Sequence, residues 1–354
     1  MTSPTFALTA TTGKLSSSIL SHILNSSLLP PSSLILCTST GSPTHPHLSA
    51  AVSRGAQVRR ADYDDPASLE AAFAGVDRLI LVSTPAIALD FNEAPEGQGR
   101  ERQHYAALEA ARKVGVKHVY YTSLAFACGG KSESKAGVMV AHLRTEARLQ
   151  QLAREGSIQF TSIREGLYSE SWPLYFGHWD LGKDNNGRSE VKVAGDGKIT
   201  WTALSDVALG TALIATDKDS AKWEGCKVTL AASKGGITLA EMAEMVGKRL
   251  GREIKFEVVD KEEHVKYYVN QRGMDEPFVR WWIIVIALSF LVSVVTKIAL
   301  PLFGENNIIA IAHSSSCVLF SSSSSSADDF RYTRLFKVRS RTTLLWTIQE
   351  SSSS

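Results

Sequence analysis

Short apolar runs alternate with helix-like stretches along most of the chain. Phe6-Ala7-Leu8 leads through Thr9-Ala10-Thr11-Thr12-Gly13 into a helical pattern from Leu15 to Leu24, the order strand, turn, helix. The same alternation recurs. Leu34-Ile35-Leu36 precedes a Ser/Thr/Pro loop, Gln57-Val58-Arg59 precedes Pro66 to Phe73, and Leu79 to Val82 precedes Gly99 to Val114. Val119-Tyr120-Tyr121 then precedes Val138 to Arg154, and Gln159 to Ile163 predicts a sixth strand. Parallel neighbours need a crossover helix, so this order predicts an α/β fold with a doubly wound parallel sheet covered on both faces. Asp65-Pro66 opens a helix as cap and first-turn residue, and Gly115 and Gly156 close two others. Further on, Leu239, Met242, Val246 and Leu250 recur at helical spacing up to Gly251, ahead of the alternating strand Ile254 to Val258. These last elements predict a small C-terminal lobe.

Composition narrows the class of function. The chain has 354 residues, 44% of them hydrophobic, with 38 Lys+Arg against 36 Asp+Glu, so it is globular rather than disordered. A net charge of +2 leaves no electrostatic footprint for nucleic acid. Cys37, Cys128, Cys226 and Cys317 have no paired short spacing, which argues against a metal site or a disulfide framework and for a reducing, cytoplasmic setting. The N-terminus has no basic segment followed by an apolar one, so no secretory signal is expected.

In an open parallel sheet, ligands are bound beyond the carboxyl ends of the strands. Thr9 to Ser16 there is a small-residue turn opening a helix, where a pyrophosphate can approach backbone amides and the positive end of the helix dipole. Gly13 alone stands at the three spacings where such a turn usually carries glycine.

Several segments together resemble the NmrA-like family of atypical short-chain dehydrogenase/reductases, including its NADPH-dependent quinone reductases. Thr9 to Ser16 is similar to its T-G-A-T-G-x-L-G turn. Gly55 to Pro85 resembles G-x-x-V-R-x-x-D-Y-x-D-P-x-S-L-x-x-A-F-x-G-V-D-x-L-x-x-V-S, and Ala106 to Ala125 resembles E-A-A-K-x-A-G-V-K-H-x-V-Y-T-S. His142-Leu143-Arg144-Thr145-Glu146 and Arg164 to Glu170 complete the set, which covers about the first 280 residues. The resemblance implies a Rossmann-type domain over about 1–165, with a small substrate lobe over about 166–282, binding NADP or NAD. It implies cofactor contacts from Thr9, Ala10, Thr12, Gly13, Lys14 and Leu15 at the first turn and from Thr38 after the second strand. Asp62, with Tyr63 beside it, would reach the adenine edge, and Ser83, Thr84 and Pro85 the adenosine side. Thr122, Ser123, His142, Tyr168 and Glu170 would lie toward the nicotinamide. Tyr121, Trp172 and Trp201 are candidates for the substrate pocket. Trp172, Tyr175, Phe176, Trp179 and Trp201 are either an aromatic pocket for a planar substrate or simply core.

The sequence departs from the family in ways that bear on function. Ala10 and Ser16 replace the first and third glycines of the turn. Between Leu15 and Ser53 there is no Lys, Arg, Asp or Glu, so neither the usual cation for the NADP 2′-phosphate nor the usual carboxylate for the NAD ribose is present. Hydroxyls of Thr38 or Ser39 with Lys14 favour NADP, with NAD as the alternative. By the resemblance, the Tyr-x-x-x-Lys pair falls at Val138 and His142, and valine transfers no proton. Direct hydride transfer from NADPH to a quinone-like or conjugated carbonyl suits this site; a non-catalytic dinucleotide sensor bound to a protein partner, or loss of function, are the alternatives.

After Trp282 the sequence changes character. Its last 72 residues hold 16 serines, six basic and four acidic residues, leaving 32 of each sign before them. The family pattern stops there, and an uncharged apolar run extends from Trp281 to Thr296 over 16 residues, short of the roughly 20 that cross a bilayer. A membrane anchor is therefore not expected. The 283–354 segment reads as a disordered or artefactual tail, such as a translated intron or a frameshift, and sequencing the transcript across the Trp282 codon tests this.

Overall fold

The computed structural model describes residues 4–125, 137–232 and 236–283. Its first half contains β1 (Phe6–Leu8), α1 (Lys14–Asn25), β2 (Leu34–Thr38), α2 (Pro46–Val52), β3 (Gln57–Arg60), α3 (Pro66–Phe73), β4 (Arg78–Leu81), α4 (Glu101–Lys113), β5 (His118–Leu124), α5 (Gly137–Arg154) and β6 (Gln159–Glu165). There follow β7 (Leu167–Tyr168), α6 (Trp172–Tyr175), α7 (Asp184–Gly187), β8 (Glu190–Val193), β9 (Trp201–Thr202), α8 (Leu204–Ala215), β10 (Cys226–Leu230), α9 (Leu239–Leu250), β11 (Lys255–Val258) and α10 (Lys261–Lys266). A helical stretch covers 276–283.

Seven strands form one parallel sheet in the order β10-β6-β5-β4-β1-β2-β3. Strand alternation divides its side chains between two cores. Phe6 and Leu8 face α1, α2 and α8, together with Ile19, Leu48 and Val207. Ala7 faces α3, α4 and α5, together with Phe73, Leu108 and Leu149. Burial on both faces is why the central strands β1, β2 and β4 are largely apolar, whereas the edge strand β3 is mostly polar and exposed at both ends. The predicted doubly wound fold is therefore observed, with a seventh strand, β10, that the apolar pattern did not single out.

A third core gathers Phe176, Trp179, Val191, Tyr268 and Trp282 around β8 and β11. The chain does not divide simply at residue 165. It leaves the main sheet through β7, which pairs with β9, and returns with α8 against α1 and β10 against β6. Phe176 and Trp179 are interior residues, and Trp281 and Trp282 are buried in the same core. The remainder of the Ser-rich segment lies outside the described residues. Among the described residues no helix is long and apolar enough to cross a membrane.

Candidate cofactor and active site

β1 pairs with β2 on one side and β4 on the other, so the chain reverses direction across the sheet at this point, the switch point beyond whose strand ends open α/β sheets bind ligands. Three interactions hold the two sides there. Thr9 Oγ1 accepts the Val82 amide at 2.9 Å, the Tyr63 phenol lies 3.0 Å from the same oxygen, and Tyr63 donates to the Val82 carbonyl at 2.8 Å. Thr9 is buried and its hydroxyl is engaged inside the protein. Tyr63 likewise has its phenol turned inward, with burial pushing its pKa up.

The first turn is built tightly. Gly13 N–H donates to the Ala10 carbonyl at 2.8 Å, and a Cβ at Gly13 would come within 3.1 Å of that oxygen. Ser16, in place of the third glycine, is buried and donates its hydroxyl to the Thr9 carbonyl at 2.8 Å. Thr12, Gly13 and Lys14 are exposed, whereas Leu15 packs into the core. No side chain caps the start of α1 and its first turn carries no acid, so its amides and dipole are available to an anion. This arrangement fits a dinucleotide pyrophosphate. Ala10 has φ +51°, a left-handed conformation in which glycine avoids the Cβ clash. Ala10→Gly is expected to raise stability by about 0.5–1 kcal/mol, measured by urea unfolding; an unchanged or lower midpoint would show the turn to be unstrained.

At the end of β2, the Thr38 hydroxyl is buried and accepts the Gly41 amide at 2.9 Å, leaving Ser39 and Thr40 exposed. Asp62 accepts the Asp64 amide at 3.1 Å and an Arg60 hydrogen bond at 3.0 Å. Arg60, in register with Thr38, brings to this corner the guanidinium that the β2 loop lacks, and it also pairs with Asp65 at 2.6 Å. The expected cation belongs to β2, whereas this one stands on the neighbouring strand, so the sequence around β2 does not mark it.

Beyond β4 and β5 the side chains form one buried network. The Ser83 amide donates to Thr122 Oγ1 at 3.0 Å, and the Thr84 amide donates to His104 Nε2 at 3.1 Å. His104 Nδ1 is 2.8 Å from Thr145 Oγ1, whose own proton goes to the Ala141 carbonyl at 2.7 Å. His104 therefore carries its proton on Nδ1. Tyr121 Oη lies 2.9 Å from His142 Nδ1 and 3.3 Å from His104 Nδ1. Burial, aided by the Arg100 charge, holds both histidines well below the usual range, and burial pushes the Tyr121 phenol up. All three stay neutral, so Tyr121 and His142 do not form an activated phenol and base. Arg100 fixes the edge of the network through Asp90 at 3.0 Å and the carbonyls of Thr84 at 3.2 Å and Val138 at 3.1 Å. Arg100 and His104 lie four residues apart at the start of α4, a spacing that puts them on one face and could have revealed them in the sequence.

The other predicted residues separate. Pro85 is exposed. Tyr121 is fully buried between His104 and His142. Ser123 donates to Glu146 at 2.8 Å in a buried cluster. Glu170 accepts the Leu204 amide at 3.1 and 3.2 Å, at the start of α8. Trp172 and Trp201 are half-buried, against Phe176 at 5.9 Å and Tyr175 at 5.6 Å between ring centres. Tyr168 donates to Glu165. Among the described residues, no group of three or more His, Cys, Asp or Glu could hold a metal ion.

Comparison with known proteins agrees with this architecture. An NmrA-like family domain-containing oxidoreductase, flvB, of Aspergillus flavus is 33% identical over 213 residues, 60% of this chain and 62% of its own length. The match thus spans about three-fifths of that relative. Quinone oxidoreductase 2 of Escherichia coli is 29% identical over 255 residues, 71% of this chain and 76% of its own. The solved structure of Citrobacter sp. triphenylmethane reductase complexed with NADP(H) superposes with a TM-score of 0.60 at 26% identity, covering 83% of this chain and 90% of that one. The sheet's switch point, the small-residue turn and these likenesses converge with a match over residues 3–278: the chain belongs to the NmrA-like family.

Proposed function

We propose that this protein is an NADPH-dependent oxidoreductase that reduces a quinone-like or otherwise conjugated carbonyl, acting as a small-molecule enzyme of the cytoplasm. The observation that carries the reading is the uncapped start of α1 at the sheet's switch point, with Gly13 pressed against the Ala10 carbonyl so that a larger residue would crowd the turn. Thr12, Gly13 and Lys14 would hold the pyrophosphate. Ser39, Thr40 and Arg60 would meet the 2′-phosphate, Ser83 and Thr84 would border the adenosine side, and Thr122 and His142 the nicotinamide half. The bound dinucleotide supplies a hydride equivalent, so the protein's task is to orient the rings, exclude water and manage one proton. Trp172 and Trp201 offer flat apolar surface to a planar substrate. The relatives named quinone oxidoreductase and triphenylmethane reductase support an electron-poor conjugated acceptor.

Calorimetric titration of the full chain with NADPH and NADH, followed by NADPH oxidation against a quinone panel, tests this. NADPH binding tighter than NADH binding, together with saturable quinone-dependent oxidation, is expected. Failure to bind either dinucleotide overturns the proposal, and binding without turnover replaces the enzyme by a dinucleotide sensor.

A further inference from the structure

Glu165 closes β6 at the carboxyl edge of the sheet, opposite Leu124 of β5 and Leu230 of β10. Its neighbour Arg164 turns toward α5 and pairs with Glu146 at 2.6 Å. Alternation along the strand therefore sends Glu165 to the other face, the one on which Ile163 and Leu230 pack. Glu165 is 2% exposed, and its Oε1 has no hydrogen-bond partner among the described residues. Its Oε2 accepts from the Tyr168 phenol. Tyr168 is only partly buried and is fixed by the pairing of β7 with β9, which places it beside Thr202. A carboxyl group with no cation beside it among the described residues thus stands directly behind the phenol of a partly exposed tyrosine, at the carboxyl end of β6.

We propose that Tyr168 and Glu165 form a two-group proton relay for the reduction, Tyr168 being the catalytic donor to the substrate oxygen and Glu165 the positioning residue and proton reservoir behind it. The inference rests on the oxidoreductase reading above. With Glu165 protonated on Oε2, the carboxyl donates to the phenol oxygen, and the phenol proton is free to turn outward. As the carbonyl carbon is reduced at the expense of the dinucleotide, the electron pair of its C=O moves to oxygen. An O–H bond forms there as the Tyr168 O–H breaks, and the Tyr168 O–H re-forms as the Glu165 O–H breaks. Water then returns one proton to Glu165. The sum is one carbonyl reduced, one dinucleotide oxidised and one proton taken from solvent.

The surroundings suit this role. Burial raises Glu165 from 4.5 to about 8, against the lowering effect of the Tyr168 hydrogen bond, so its carboxyl is neutral and loaded at neutral pH. Tyr168 is held well above its usual range by burial and by Glu165, with smaller contributions from Tyr175 on α6 and from Glu170. The phenol thus passes a proton on without ionising by itself. Lys227 of β10 points to Glu146, at 3.3 Å, on the opposite face.

Two measurements test the relay. Infrared spectra of the full chain without dinucleotide are expected to show a neutral carboxyl band that disappears with a midpoint near pH 8 and is missing from Glu165→Gln. Absence of that band at neutral pH overturns the proposal, whatever the activity. In turnover with NADPH and a benzoquinone or naphthoquinone panel, the wild-type kcat is expected to fall above about pH 8. Tyr168→Phe should lower kcat by about 10²-fold with little change in the KM for NADPH, and Glu165→Gln should lose the alkaline fall. Wild-type turnover with Tyr168→Phe equally fast would remove the relay while leaving the oxidoreductase reading intact. A wild-type protein that oxidises no NADPH would remove both.

Discussion

Arg164→Met is expected to destabilise the protein by about 3–5 kcal/mol, because it leaves a charge in the core without its partner. The charge is that of Glu146 on α5, 1% exposed, which takes Arg164 at 2.6 and 3.0 Å, Ser162 at 2.7 Å and Ser123 at 2.8 Å. Burial acts to raise the Glu146 pKa, and it is the hydrogen bonds and charge of Arg164, with Ser162 and Lys227, that keep it below the usual value. Removing the guanidinium removes the largest of those contributions. Lys227 remains at 3.3 Å and retains part of the compensation. Equilibrium urea unfolding measures the loss, and a change below about 1 kcal/mol would mean that the site hydrates or that Lys227 suffices. Combining Arg164→Met with Glu146→Leu is expected to recover part of it, since an apolar pair of similar volume often replaces a buried ion pair without loss.

Glu165→Gln is expected to act in the opposite direction and only at higher pH. The folded carboxyl holds its proton to about pH 8, whereas the unfolded one releases it near 4.5. Between those values the unfolded state binds fewer protons than the folded state, so wild-type stability falls as pH rises from about 4.5 to 8 and is level beyond. Glutamine titrates in neither state. The variant should match the wild type near pH 4.5 and exceed it by a margin on the order of a few kcal/mol above pH 8. Paired unfolding curves across this range decide it; a difference that does not grow with pH contradicts a neutral buried Glu165.

These two neighbours show what was legible in the sequence and what was not. The Arg164-Glu165 dipeptide is visible as a family-like segment, and strand alternation already requires its two side chains to point to opposite faces. That one would meet a carboxylate and the other only a phenol depends on what α5 and β7 bring, which no local pattern records. β1, β2 and β4 were legible because burial on both faces makes them largely apolar, and β3, β5 and β6, which carry polar and charged residues, by their place between helix signals. β10 carries the alternation of a half-buried strand in Cys226, Val228 and Leu230, but that its partner is β6, far back in the chain, no local pattern records. β7 and β9 contain only two residues each, too few for a period to appear. At the cofactor corner, Gly13 and the small residues around it were readable as a turn. Arg60 was not singled out, because it reaches the corner from β3 rather than from β2, and His104 shows only through its four-residue spacing from Arg100.

The late return of β10 also bears on synthesis. Until Cys226 to Leu230 are available, β6 is the border of the main sheet, and its backbone donors and acceptors on that side have no strand to meet. The intervening residues build part of a different core, so a ribosome-bound chain presents an open sheet edge throughout that interval. Chains ending ahead of Cys226 would retain this sticky edge permanently, which makes the β6–β10 seam the place where interrupted translation turns into aggregation.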